Sequence, residues 1–137
     1  MEEIKIGYYE IDKIQPSQFY ISKDKLESVL EWFNAKDLSN FEPVPLKRLN
    51  GEVIYTDGHT RAIAAYMNGL KAIPFYWDED DLDWTAYECC VRACKEQNIV
   101  SIRDLINRIV PKEQYEAMWY AWCDELHAAL QEERWGQ

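Results

Sequence analysis

The chain has 137 residues, of which 47% are hydrophobic, 14% aromatic and 29% charged. That length supports one core of ordinary size rather than two, and the balance excludes a disordered chain. No apolar run approaches the roughly 18 residues of a membrane span, and a formal net charge of −10 leaves no broad basic face to neutralise DNA phosphates.

In chain order, residues 8–14 read as an extended segment ended by Gln15-Pro16-Ser17. Ser22 reads as an N-cap, and Leu26, Val29, Leu30 and Phe33 behind it repeat at helical spacing. After an irregular stretch over 34–42, two apolar-rich runs at 44–49 and 52–56 are joined by Asn50-Gly51. That pair predicts a type I′ hairpin, because both turn positions need positive φ. The second strand runs into Thr56-Asp57-Gly58, and a helix starts at His59 or Thr60 and closes at Asn68-Gly69, with Gly69 suited to the left-handed C′ position. Residues 72–77 return as a strand in which Pro74 argues for an edge or a kink. Asp78-Glu79-Asp80-Asp81 reads as a solvated acidic linker.

The remainder reads as helical. Trp84, Tyr87, Val91 and Cys94 share one face of a helix over about 83–97. Ser101-Ile102-Arg103-Asp104 resembles a capping box that opens a short helix lined by Ile102, Leu105, Ile106 and Ile109. Pro111 suits the first position of a last helix, whose apolar stripe is Tyr115, Met118, Trp119, Trp122, Leu126 and Leu130.

The charge divides unevenly. Residues 1–77 carry nine Lys/Arg against eleven Asp/Glu, a net of −2, and residues 78–137 carry six against fourteen, a net of −8. The expected organisation is therefore a mixed α+β domain over 1–77 with an acidic, all-helical extension over 78–137 packed on it. The extension is the part offered to a protein partner or to a second copy of the chain. Cys89, Cys90, Cys94 and Cys123 contain no Cys-x-x-Cys pair and only two His accompany them, so they read as reduced, partly buried thiols rather than a zinc site. The opening Met1-Glu2-Glu3-Ile4-Lys5 lacks the layout of a signal peptide, and a cytoplasmic location with no membrane association is expected.

The chemistry points to one short segment. A strand that runs through Thr56-Asp57-Gly58 into a helix presents the helix's first amides, which lack internal partners and favour anions. Gly58 lets a ligand approach the backbone, Thr60 adds a hydroxyl, and Arg61 suits phosphate oxygens. Asp57 suits a divalent metal or a proton, and His59 suits proton transfer near neutrality. The alternative is structural: Asp57 caps the helix and Arg61 pairs with an acidic neighbour.

Pro43-Val44-Pro45-Leu46, the Asn50-Gly51 hairpin, Asp57-Gly58-His59-Thr60-Arg61 with the Ala-rich helix behind it, Gly69 and Ile73-Pro74-Phe75 together resemble the ParB/sulfiredoxin superfamily over about residues 8–77. The resemblance implies a small mixed sheet with helices that binds a nucleotide phosphate at the helix start. Sulfiredoxins carry a Cys where this chain has His59, which removes the thiol chemistry. The chromosome-partitioning members carry Gly-Glu-Arg-Arg, bind CTP and add a DNA-docking unit, whereas Thr60 replaces one Arg here and acidic helices follow. The free serine kinases of the superfamily carry Asp-Gly-His-His-Arg, one position different from residues 57–61. Carried over, Asp57 is the catalytic base or metal ligand, His59 and Arg61 contact phosphates, and Thr60 substitutes for the second His.

In those kinases a second, N-terminal Glu serves catalysis, and Gln18 falls near its place. Either Asp57 works alone, or Glu10 or Asp12 takes that role, or the domain binds without catalysis. The resemblance thus implies a nucleotide (ATP, ADP or CTP) with Mg²⁺, in a small-molecule phosphotransferase or nucleotide hydrolase. The alternative is a noncatalytic binding module, of the kind associated with phages or mobile elements.

Overall fold

The structure, a computed structural model, describes residues 5–135. Residues 1–4, on which the expectation of no leader rests, lie outside the described residues. The fold is α+β. A four-stranded mixed sheet has the order β1-β5-β3-β4, built from β1 (Gly7–Glu10), β3 (Val44–Leu49), β4 (Glu52–Tyr55) and β5 (Ala72–Trp77). A second, two-stranded parallel sheet pairs β2 (Ile21–Ser22) with β6 (Ile109–Val110), and so ties the N-terminal part to the C-terminal part. The helices are α1 (Lys23–Trp32), α2 (His59–Met67), α3 (Trp84–Glu96), and α4 (Lys112–Tyr115), which passes through a π turn (Glu116–Tyr120) into α5 (Ala121–Trp135). Among the described residues no helix is long and apolar enough to cross a membrane.

Local signals account for much of this. Asn50 and Gly51 both take positive φ, 52° and 83°, and set the β3–β4 register at Leu49↔Glu52. Ser22 Oγ accepts from the Lys25 amide at 3.4 Å and starts α1. α2 buries Ala62, Ile63, Ala64 and Ala65, and alanine gives up no side-chain entropy in a helix. It ends in a Schellman motif, in which Gly69 N–H donates to Tyr66 O and Leu70 N–H to Ala65 O. Asn98, φ 62°, ends α3 the same way, with Ile99 N–H donating to Cys94 O.

Several expectations are corrected. The extended reading of residues 8–14 stops at Glu10, and Ile11–Lys13 forms a 3₁₀ turn. Pro74 lies in an inner strand; it is tolerated because β3 begins at Val44, opposite Phe75, so the half of β5 holding Pro74 has no β3 neighbour. Asp78 is buried rather than solvated, its Oδ2 accepting from Thr56 Oγ1 at 2.8 Å. The short helix after Ser101 is 3₁₀ (Ile102–Arg108) and leaves Ile106 exposed, while Ile109 belongs to β6. The capping box itself forms as expected, the Ser101 side chain and the Asp104 backbone facing each other while the Asp104 carboxylate accepts from the Ser101 amide, and Ser101 Oγ also donates to Asp12. Pro111 is the N-cap of α4, one position earlier than expected. Met118 leaves the apolar stripe: it lies in the π turn and is exposed, whereas Tyr115 and Trp119 are buried.

One apolar cluster runs through both parts of the chain. It joins Ile63, Ala64 and Ile73 to Cys94, Ile99, Ile102, Leu105, Tyr115 and Trp119. Phe19 packs edge-on against Trp119 and Trp122, at 4.8 and 4.9 Å, and the two indoles stack at 5.7 Å.

Candidate functional site

The segment after Ile14 runs along the outer edge of β4. Gln15 N–H donates to Val53 O, and Gln15 O accepts from Tyr55 N–H. Ser17 is then fixed twice, through Oγ to Tyr55 O at 2.6 Å and through its amide to His59 Nε2 at 3.0 Å. These bonds carry Gln18 to the mouth of α2. A cleft of about 390 Å³ opens there, and Gln18, Asp57, Gly58, His59, Thr60 and Arg61 all line it. The structure thus brings these six together, and leaves out Glu10 and Asp12, the alternatives for a second carboxylate.

Gly58 is the N-cap of α2 in the left-handed region, φ 82°, and provides no side-chain cap. A Cβ there would sit 2.8 Å from Val44 Cγ1 and 3.0 Å from Arg61 Nη2, so the position requires glycine for both conformation and space. Asp57 does not cap the helix; its Oδ1 accepts from the Gly58 amide at 2.8 Å. The amides of His59, Thr60 and Arg61 therefore have no acceptor among the described residues. Arg61 Nη1 donates to the carbonyls of Glu42 at 2.8 Å and Pro43 at 3.1 Å, with the exposed Glu42 carboxylate at 3.6 Å. The carbonyls fix the guanidinium, whereas an ion pair to so exposed a carboxylate adds little. Nη2 is left beside Gly58.

His59 departs from the proton-transfer role. Burial pushes its pKa down to about 4, against an opposing pull from Asp57. Its Nε2 accepts from Ser17, so the neutral ring carries its proton on Nδ1, and that atom is buried with no partner. At neutral pH His59 thus orders the backbone and presents a neutral donor. Tyr55 Oη is likewise buried and unpartnered, its ring 5.1 Å from the imidazole.

The far wall was not foreseen. Lys25, Ser28, Val29 and Trp32 of α1 and Tyr115 of α4 complete the cleft. Lys25 Nζ donates to Tyr120 Oη at 3.1 Å and lies 5.2 Å from the Tyr115 ring centroid. Gln18 Nε2 donates to Tyr20 O and to Tyr115 Oη. The signal for this wall was the second face of α1, positions 25, 28, 29 and 32, which repeat at helical spacing and mix charged, hydroxyl and aromatic groups. Neither Glu10 nor Asp12 lines the cleft. Glu10 pairs with Lys13 and Asp12 accepts from Ser101. Asp57 is the only carboxylate among the described lining residues. Among the described residues no group of three or more His, Cys, Asp and Glu is placed to hold a metal ion.

The C-terminal part braces the site from behind. Tyr87 of α3 donates its hydroxyl to Thr56 O at 2.9 Å, and burial pushes its pKa up to about 12.

No protein-family model matches the chain, and no curated protein matches it in sequence. Among solved structures, the protein Atu1540 from Agrobacterium tumefaciens is similar with a TM-score of 0.50 and 18% identity, over 75% of this chain and 62% of that one. Two mutants of a free serine kinase, each in complex with AMP, align with a TM-score of 0.48 and 22% identity, over 60% of this chain and 34% of the kinase. The chain thus spans under two thirds of Atu1540 and about one third of the kinase. The likeness to Atu1540 is one of fold.

Proposed function

We propose that this is a ParB/sulfiredoxin-like protein that binds the phosphates of a nucleotide at the start of α2. One observation carries the reading. Three successive helix amides, at His59, Thr60 and Arg61, lack acceptors and converge with a guanidinium already held in place by two carbonyls. Helix amides and a fixed guanidinium together make an anion site. Thr60 adds a hydroxyl, and Lys25 adds a second cation across the cleft.

Binding is favoured over a two-carboxylate mechanism because Asp57 is the only carboxylate among the described lining residues, and Gln18, which the resemblance sets near the place of the second acid, has an amide that takes no proton. Catalysis by phosphoryl transfer or hydrolysis then falls to Asp57, whose Oδ2 is left over after Oδ1 takes the Gly58 amide. Mg²⁺ is commonly held by one or two carboxylates plus substrate phosphates, so Asp57 fits a metal that arrives with the nucleotide rather than a resident ion.

Thermal melting with ATP, ADP and CTP, with and without Mg²⁺, tests the site, since a ligand that binds only the folded state raises the melting temperature. Arg61→Gln is expected to weaken binding roughly tenfold to a hundredfold, the range of a charge-assisted hydrogen bond. Phosphorus NMR of the same mixtures separates the two activities. Turnover that vanishes in Asp57→Asn supports catalysis, and a bound, unconsumed nucleotide supports the binding module. No melting shift with any of the three nucleotides overturns the reading.

A further inference from the structure

The two edges of the four-stranded sheet are treated differently. The β4 edge is covered: Gln15 takes the Val53 carbonyl and the Tyr55 amide. At the β1 edge no backbone partner stands among the described residues. An open edge is a template for a further strand, and proteins blunt it with lysine, proline or a bulge. Ile6-Gly7-Tyr8-Tyr9-Glu10 contains no lysine and no proline, and the ladder to β5 runs without a break from Gly7↔Phe75 to Glu10↔Ala72. Ile6 and Tyr8 are the most exposed large apolar side chains among the described residues, at 60% and 67%.

The direction of the free backbone groups follows from the ladder. Ile11 N–H donates to Lys71 O at 2.9 Å, which makes 11 and 71 a hydrogen-bonded pair in the register of β1 with β5. Bonded and non-bonded pairs alternate between antiparallel strands. Tyr9 and Gly7 therefore bond to β5, whereas Glu10 and Tyr8 turn both N–H and C=O away from it. Pro74 lies opposite Tyr8 and agrees with this, since a bonded pair would need an N–H that proline lacks. The same alternation carries to Ile6.

We infer that this edge is where two copies of the chain pair, β1 against β1, antiparallel and centred on Tyr8. A twofold axis normal to the sheet keeps each face on its own side, so it pairs even positions with even ones. Centred on Tyr8, it joins Tyr8 to Tyr8 and Ile6 to Glu10 of the second copy. That register gives every outward group of residues 6–10 a partner. The exposed Ile6 and Tyr8 side chains of the two copies then cover one another on one face. Charge favours a second copy here. Lys5 and Lys13 balance Glu10 and Asp12 along residues 5–13, so two such edges meet without net repulsion. Two acidic extensions, each of net charge −8, would repel. Self-association thus belongs to the sheet rather than to the C-terminal helices, and it stands apart from the nucleotide reading.

A lone strand-to-strand contact is small beside the roughly 1,000 Å² of a stable interface, so the dimer is expected to form as concentration rises. Sedimentation equilibrium of the full chain, from low micromolar to millimolar, should show the mass climbing from one chain towards two. Over the same range, amide exchange followed by NMR should slow at Tyr8 and Glu10. Gly7 and Tyr9, already bonded to β5, should not change. In a mixture of labelled and unlabelled chain, an isotope-filtered NOE should connect Gly7 Hα to Tyr9 Hα of the second copy, a non-bonded pair in this register. Tyr8→Lys, at an exposed position, sets two ammonium groups side by side at the axis and should weaken association roughly tenfold or more. The exchange measurement needs no variant and so decides the matter should that one not fold. A chain that stays monomeric at every concentration leaves the edge to a strand of another polypeptide and overturns the inference. A dimer that persists in Tyr8→Lys, or whose new protection falls outside residues 6–10, overturns it as well.

Discussion

The two parts of the chain contribute differently to the same place. Residues 1–77, almost balanced in charge, supply nearly all of the site: free helix amides, a glycine in a conformation other residues resist, a guanidinium braced on carbonyls, and the side chains of Gln18, Lys25 and Asp57. Residues 78–137, with most of the negative charge, supply the rest through side chains: Tyr87 on Thr56 O and Tyr115 on Gln18. The difference is compatible with the proposed anion site in an acidic chain. The donors are backbone dipoles, the Thr60 hydroxyl and two cations, Arg61 and Lys25, and the acidic groups Glu79, Asp80 and Asp81 are exposed, in solvent that screens them.

The largest test falls in the first part. His59 has its pKa lowered from 6.5 to about 4, so its contribution is complete above about pH 6.5 and is lost as the pH falls towards 4. The folded state holds the ring neutral while the unfolded chain takes up the proton. The full effect is on the order of 3 kcal/mol. Urea unfolding of the wild type and of His59→Gln at pH 7 and pH 4.5 should show a much smaller acid loss in the variant. Equal losses would mean that the imidazole is not kept neutral.

A smaller effect is expected at Gly58. Gly58→Ala forces a left-handed alanine at a cost of about 1–2 kcal/mol and places Cβ against Val44, so both melting temperature and phosphate affinity should fall. Next comes the brace from the other part. Tyr87→Phe removes one hydrogen bond to Thr56 O, about 1 kcal/mol, and should lower the melting temperature while leaving phosphate affinity within a few-fold, because the donors belong to α2. A large loss of affinity in that variant would erase the division of labour. The smallest effect is at Asn98, φ 62°. Asn98→Gly should stabilise by a few tenths of a kcal/mol, read as a slight rise in denaturant midpoint with no change in binding.

What the sequence disclosed was local. Asn50-Gly51, Ser22, Gly69 and the Gly58–Arg61 start each work within a few residues, and each sits where that chemistry required. What it hid was tertiary. Lys25, Ser28 and Trp32 face the cleft only because α1 packs beside α2. The neutrality of His59 comes from burial, which no spacing reveals. Asp78 looked like one of four solvated acids until Thr56 was brought against it. Gln18 is the intermediate case: its position was legible, but the tyrosine that orients it lies 97 residues away in sequence.

The π turn at Glu116–Tyr120 has a consequence for how the C-terminal helix is clocked. It amounts to one surplus residue in an otherwise regular spiral, located between Tyr115 at the cleft and Trp122 against Phe19. The wider turn takes up that residue without rotating the helix beyond it, so Tyr115 keeps its place at the cleft while Trp122 keeps its seat against Phe19. That wider turn is therefore what allows one helix to face two partners.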